Sequence, residues 1–140
     1  MDKQLIQQLQ AEYGEAFYLL DSAQFRKNCA ELKTAFNNIY PNWNIAYSYK
    51  TNYTPKLCKI VNELGGYAEV VSEMELEIAK PVGCKMDCVI WNGPIKNVPI
   101  MEQFLLDGGT INIDCIEELE QIKDIHNRHE DKLINVGIRC

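Results

Sequence analysis

The sequence lacks what would mark an exported, membrane-bound or nucleic-acid-binding protein. It has no apolar run long enough to span a bilayer, and its first residues, M-D-K-Q-L-I-Q-Q, hold no signal-peptide hydrophobic region. A cytoplasmic protein with no membrane partner is the expectation. Basic charge is in deficit: 14 Lys and Arg against 20 Asp and Glu leave a net charge of −6, which argues against a nucleic-acid partner. Histidine is scarce. His126 and His129 stand among Asn127, Arg128, Glu130 and Asp131, and read as a solvated helix end rather than a metal pair. The six cysteines (Cys29, Cys58, Cys84, Cys88, Cys115 and Cys140) form no C-x-x-C, so they read as reduced, small hydrophobes. Asn52-Tyr53-Thr54 fits a glycosylation sequon, but without an export leader it is coincidental. No Ser–His–Asp or Cys–His set can be assembled. No G-x-G-x-x-G follows the first strand pattern, so a dinucleotide-binding fold has no specific support.

What is present is an ordinary globular composition, 46% hydrophobic and 24% charged over 140 residues, enough for one modest domain. Leu5, Leu9 and Tyr13 predict a short helix over Gln4–Tyr13, ended near Gly14. Ala16–Leu20 predicts a strand. Asp21 and Ser22 offer an N-cap to a long helix with Phe25, Cys29, Leu32 and Phe36 on one face, which stops before Pro41.

A rhythm then begins. Strand-like runs start near Ile45, Ala68, Cys88, Thr110 and Ile134, at intervals of 23, 20, 22 and 24 residues. Each gap holds helix-start chemistry: Thr54-Pro55, the capping box Ser72-x-x-Glu75, Asn97 with Pro99, and Asp114-x-x-Glu117. The paired acidic groups Glu73/Glu75/Glu77 and Glu117/Glu118/Glu120 read as first-turn and surface charges. Strand and helix repeating at about this spacing predicts parallel β/α units. The fold class expected is α/β, a partial (β/α) barrel of about five strands, with an open doubly wound domain as the alternative. Residues 1–40 would form a helix, a strand and a long helix, and residues 41–140 the first five β/α units. Five strands cannot close an eight-stranded barrel, so the chain is expected to be part of a longer protein.

Active sites of such barrels lie at the C-terminal ends of the strands. Those ends carry Lys50, Ser72, Asn92 with Gly93 and Pro94, Asp114 and Arg139. Lys50 follows a strand, Ile45–Tyr49, in which Tyr47 and Tyr49 alternate with Ala46 and Ser48. The alternation puts Lys50 on the side of the small residues, as a barrel interior requires. In a water-poor pocket its amine could form a Schiff base with a carbonyl. Arg139, near the end of the fifth strand, needs an anionic or hydrogen-bonding partner if it enters the barrel mouth, and is otherwise a surface salt bridge. Glu69, between Ala68 and Val70 in the second strand, also needs a partner if buried.

The sequence resembles the fold-type III pyridoxal-phosphate decarboxylases, the diaminopimelate/ornithine decarboxylase family, with the diaminopimelate branch the most similar. The resemblance rests on Ala16-Phe17-Tyr18-Leu19-Leu20-Asp21, Leu32 to Phe36, Ala46-Tyr47-Ser48-Tyr49-Lys50-Thr51-Asn52, Gly65-Gly66-Tyr67-Ala68-Glu69-Val70-Val71-Ser72 with Glu75-Leu76, and Gly93-Pro94-Ile95-Lys96, in order across nearly the whole chain. It implies an alanine-racemase-like barrel and pyridoxal 5'-phosphate held by Lys50 as an internal aldimine. It implies an amino-acid substrate that loses carbon dioxide, and a homodimer. Arg139 matches a strand-end arginine near the cofactor ring. Glu69 stands where the family usually has aspartate, a departure from its pattern. A racemase-type barrel, a pyridoxal-phosphate carrier and a non-catalytic α/β binding module are the alternatives. The family's glycine-rich phosphate loop and its acidic partner for the pyridine nitrogen would lie beyond Cys140. The 140 residues alone are therefore expected to show little or no decarboxylase activity.

Overall fold

A computed structural model describes residues 2–139. Two helices come first, α1 (Lys3–Tyr13) capped by Asp2 and α2 (Ser22–Asn37) capped by Asp21. Ala16–Leu20 between them is not a strand. Its apolar side chains have β propensity, but a strand exists only when a neighbouring edge accepts its backbone bonds, and no described strand pairs with it. Tyr18, Leu19 and Leu20 are exposed.

Five strands and four connecting helices follow in a strict alternation. The strands are β1 (Ala46–Ser48), β2 (Tyr67–Val70), β3 (Val89–Trp91), β4 (Thr110–Ile113) and β5 (Asn135–Ile138), all parallel and paired in sequence order. Their starts fall within one residue of the sequence expectation. Helices α3 (Pro55–Glu63), α4 (Glu73–Ala79), α5 (Val98–Leu106) and α6 (Ile116–Arg128) connect them, with a 3₁₀ turn at Met86–Cys88 before β3. Thr54 stands at the N-cap of α3 with Pro55 in the first turn; the Asn97 side chain caps α5 by accepting from the Ile100 N–H.

Sequential order with crossovers of one hand lays all four connecting helices on the same face, as in a barrel wall. The strands show this as strict alternation. Ala68, Val70, Val89, Trp91, Ile111 and Ile113 are buried against Cys58, Leu76, Met101, Phe104, Leu105, Ile122 and Ile125. Ser48, Glu69, Ile90, Thr110 and Asn112 point the other way and are half-buried. The two sides of β1 fall as the alternation predicted: Tyr47 packs edge-on against Phe25 of α2, and Tyr49 is buried in the core. Beyond α6 the cover stops, and Leu133, Val136 and Ile138 on or beside β5 are exposed. The five described cysteines are free, with Cys58 and Cys84 buried; Cys140 lies outside the described residues. No helix among the described residues is long and apolar enough to cross a membrane.

Candidate active site at the strand ends

Lys50 lies one residue beyond the last ladder bond of β1. The Tyr49 N–H donates to the Glu69 carbonyl at 2.9 Å, and the chain then turns. Thr51 closes that turn twice over, its N–H (3.2 Å) and its Oγ1 (2.7 Å) both donating to the Ser48 carbonyl. Lys50 sits at the turn's outer corner and is exposed, not in the water-poor pocket expected. Five strands make an open sheet, so the face away from the helices is not enclosed. Behind Lys50, Tyr49 is 1% exposed with its hydroxyl 3.5 Å from Cys84 Sγ. Burial pushes the phenol far above its ordinary range, and contact with Cys84 adds to the shift. Tyr49 is therefore a neutral packing residue.

Glu69 does find a partner. Its Oε1 accepts from Asn92 Nδ2 at 2.6 Å, and Asn92 Oδ1 accepts from Asn112 Nδ2 at 2.7 Å. One carboxylate and two carboxamides thus run across β2, the end of β3, and β4 on the open face. The last member dictates its neighbour. Asn112 is level with Gly137 on β5, and a Cβ at Gly137 would overlap Asn112 Oδ1. Gly93, next to Asn92, is constrained differently: its φ is +97°, and a Cβ there would come within 2.6 Å of the Val71 carbonyl oxygen.

Arg139 follows β5 with its N–H donating to the Ile113 carbonyl at 3.1 Å, and its guanidinium reaches Asp114 Oδ1 at 3.2 Å. The arginine side chain is 60% exposed and the aspartate 11%. The pair is a rim contact with one buried end. Asp114 is itself tied down, its N–H donating to Glu118 Oε2 at 2.9 Å. Here the expectation needs correction. The N-cap of α6 is Cys115, one residue later than predicted, so Glu118 and not Glu117 takes the third helical position. Glu118 is no surface charge. It is buried, and its Oε1 accepts from Lys96 Nζ at 2.6 Å, with the side chains 5% and 1% exposed. Glu75 in α4 repeats the pattern: buried, three residues after its cap Ser72, its Oε2 accepting from the Val71 N–H at 2.8 Å. Each glutamate bonds the N–H one residue before the cap, a displaced form of the capping box.

Sequence reasoning missed Lys96 and Asn112. Lys96 stood in view only as the end of Gly93-Pro94-Ile95-Lys96. For Asn112 the signal was the two-residue spacing of Thr110, Asn112 and Asp114, which sets three polar side chains on one side of β4. His129, read as solvated, is half-buried with Nε2 2.8 Å from Glu102 Oε1, and Arg128 also binds that carboxylate. Those bonds hold the Glu102 carboxyl below the usual range, Arg128 most strongly.

The structure joins Glu69 to Asn92 and Asn112, and Arg139 to Asp114. No hydrogen bond or ion pair links Lys50 to either group among the described residues. Two polar atoms at these strand ends are buried without a partner, Ser48 Oγ and Asp114 Oδ2. Lys50 thus offers a primary amine, Arg139 a guanidinium and Glu69 a carboxylate fixed by Asn92, spread along the open face and the C-terminal strand ends from β1 to β5.

Comparison with known proteins bears on the family. Residues 22–140 match the family described as pyridoxal-dependent decarboxylase, pyridoxal binding domain. The diaminopimelate decarboxylase of Methanothermobacter thermautotrophicus is 32% identical over 120 residues, 84% of this chain and 28% of that protein. The diaminopimelate decarboxylase of M. jannaschii, solved in complex with L-lysine, superposes with a TM-score of 0.79 at 25% identity over 96% of this chain and 33% of that one. The Helicobacter pylori enzyme shares the fold, with a TM-score of 0.80 at 23% identity over 95% of this chain and 33% of that one. The chain thus spans about a third or less of the relatives it matches. With the family match running from the start of α2 to Cys140, the chain belongs to the pyridoxal-dependent decarboxylases and matches their pyridoxal binding domain.

Proposed function

We propose that this chain supplies the lysine-bearing part of a pyridoxal-phosphate-dependent decarboxylase acting on an amino acid, most like diaminopimelate decarboxylase. The observation that supports it most is the placing of Lys50 at the first strand end of a sheet whose open face carries Glu69 and Arg139. Residues 41–140 are its first five β/α units, preceded in residues 1–40 by the helices α1 and α2. A cytoplasmic homodimer is part of the same reading.

The roles follow from the residues. Lys50, exposed in a tight turn, would hold the cofactor through its side-chain amine. Glu69 would offer a carboxylate to the ring, with Asn92 fixing the direction of one oxygen. Arg139, steadied by Asp114, would face an anionic or hydrogen-bonding part of the cofactor. When bound, pyridoxal phosphate supplies an electron sink for the pair left as carbon dioxide departs. Tyr49 keeps water from the rear of Lys50 by filling the core behind it.

Incubation with pyridoxal phosphate, borohydride reduction and peptide mass mapping test this. The expected result is a single reduced adduct on Lys50. A label spread over the exposed lysines, or none on Lys50, would refute the assignment.

A further inference from the structure

We infer that Lys96 and Glu118 are positioning residues, one buried ion pair that sets the two arms of the site together: the carboxamide ladder ending on Glu69, and the Asp114–Arg139 pair. This rests on the reading of the strand ends as the pyridoxal-phosphate site.

The bonds converge on one ammonium. Lys96 Nζ donates to the Gly93 carbonyl at 2.7 Å, the Asn112 carbonyl at 3.3 Å and Glu118 Oε1 at 2.6 Å. Three donors meet three acceptors, so the group is saturated and has no capacity left for a ligand. Gly93 follows Asn92, and Asn112 is the far end of the ladder. The ammonium therefore grips the backbone at both carboxamide-bearing positions. The other oxygen of Glu118 accepts from the N–H of Asp114, the residue whose side chain steadies Arg139.

The β2–α4 unit supplies an internal control. Glu75 makes the same backbone bond from the same helical position, yet no lysine joins it among the described residues. Closing a strand–helix junction therefore does not require a buried ammonium. Burying a lysine and a glutamate is costly unless both are fully bonded, and an apolar pair can often replace them without loss of fold. What the apolar pair cannot do is hold Gly93, Asn112 and Asp114 in one register.

The test uses the whole 140-residue chain without cofactor and compares two double variants. Lys96→Met with Glu118→Leu removes every bond of the pair. Lys96→Met with Glu118→Gln keeps an acceptor for the Asp114 N–H and supplies an amide donor. Thermal unfolding checks the fold, and NMR reads hydrogen exchange of the Asn92 and Asn112 side-chain amides, with the Val71 N–H as control. The expected result for the Met/Leu variant is a cooperative transition, an unchanged Val71 rate, and carboxamide exchange at least tenfold faster. The Met/Gln variant should keep the Asp114 bond but stay well above the parent's carboxamide exchange rate, because the ammonium that grips Gly93 and Asn112 is gone; parent-like protection there would also overturn the role given to Lys96. Carboxamide exchange within twofold of the parent in a folded Met/Leu variant would overturn the inference. So would loss of fold in both variants, since the pair would then hold the domain and not the site. Because these signals come from cofactor-free protein, failure of the parent to label at Lys50 would count against the proposed function separately.

Discussion

The two faces of the sheet are made from the same strands and differ in almost everything else. The helix-facing side is apolar and nearly dry: Val70, Val89, Trp91 and Ile111 are each 0% exposed. The open side carries Ser48, and Glu69, Asn112 and, past the strand ends, Asn92, the last three bonded to one another across neighbouring strands. A helix stripe can only be buried against an apolar face, so the first side sets stability. The second side has no helix to match. It is free to hold groups that would be expensive inside a core, provided each has a partner. The difference shows that polar residues in these strands are not flaws in the packing but the surface on which chemistry is built.

Changes to the helix side should be felt most. Trp91→Ala removes a fully buried side chain stacked edge-on against Phe104, and should cost about 3–5 kcal/mol in urea unfolding. A cost under 1 kcal/mol would mean that this face is not the core. Glu75→Ala tests the strand–helix junction. It leaves the half-buried Val71 N–H without its acceptor and should cost about 1 kcal/mol. Gly137→Ala acts on the open face, forcing Asn112 Oδ1 aside. The expected loss is about 1 kcal/mol, with faster exchange of the Asn112 side-chain amide. Lys50→Met should change stability by less than about 0.5 kcal/mol while abolishing the borohydride adduct, the sharpest contrast with Trp91.

Alkaline pH separates the faces in another way. Burial raises the Cys58 and Cys84 thiols and the Tyr49 phenol, all on the helix side. Above the ordinary thiol value of about 8.5, the unfolded chain gives up protons that the folded chain keeps. Stability should therefore be full below that pH and fall steadily as pH rises. Replacing Cys58 and Cys84 together with Ala should flatten part of that fall, and an unchanged slope would remove the thiols as its cause.

Much of the fold was legible because it is local. Caps such as Ser72, Asn97 and Asp21, a proline at Pro55, and two-residue alternation in the strands are decided within one turn or one strand. The β/α rhythm adds their order. The strand expected at Ala16–Leu20 failed because pairing is not local. Its residues have the propensity, but no described strand pairs with it. Glu75 and Glu118 were misread for a related reason: an acidic residue in a first helical turn is usually solvated, and only the packed strand end beneath it makes it a buried acceptor.

The sequence by itself determined that this is an α/β chain of five parallel strands alternating with helices, and that Lys50 follows the first strand. Both follow from spacing and cap chemistry along the chain. Only the tertiary structure decided that Glu69 is held through Asn92 by Asn112, that Arg139 is steadied by Asp114, and that a buried Lys96–Glu118 pair underlies both. Those partners are 16 to 25 residues apart and meet solely because parallel strands bring successive C-terminal ends side by side.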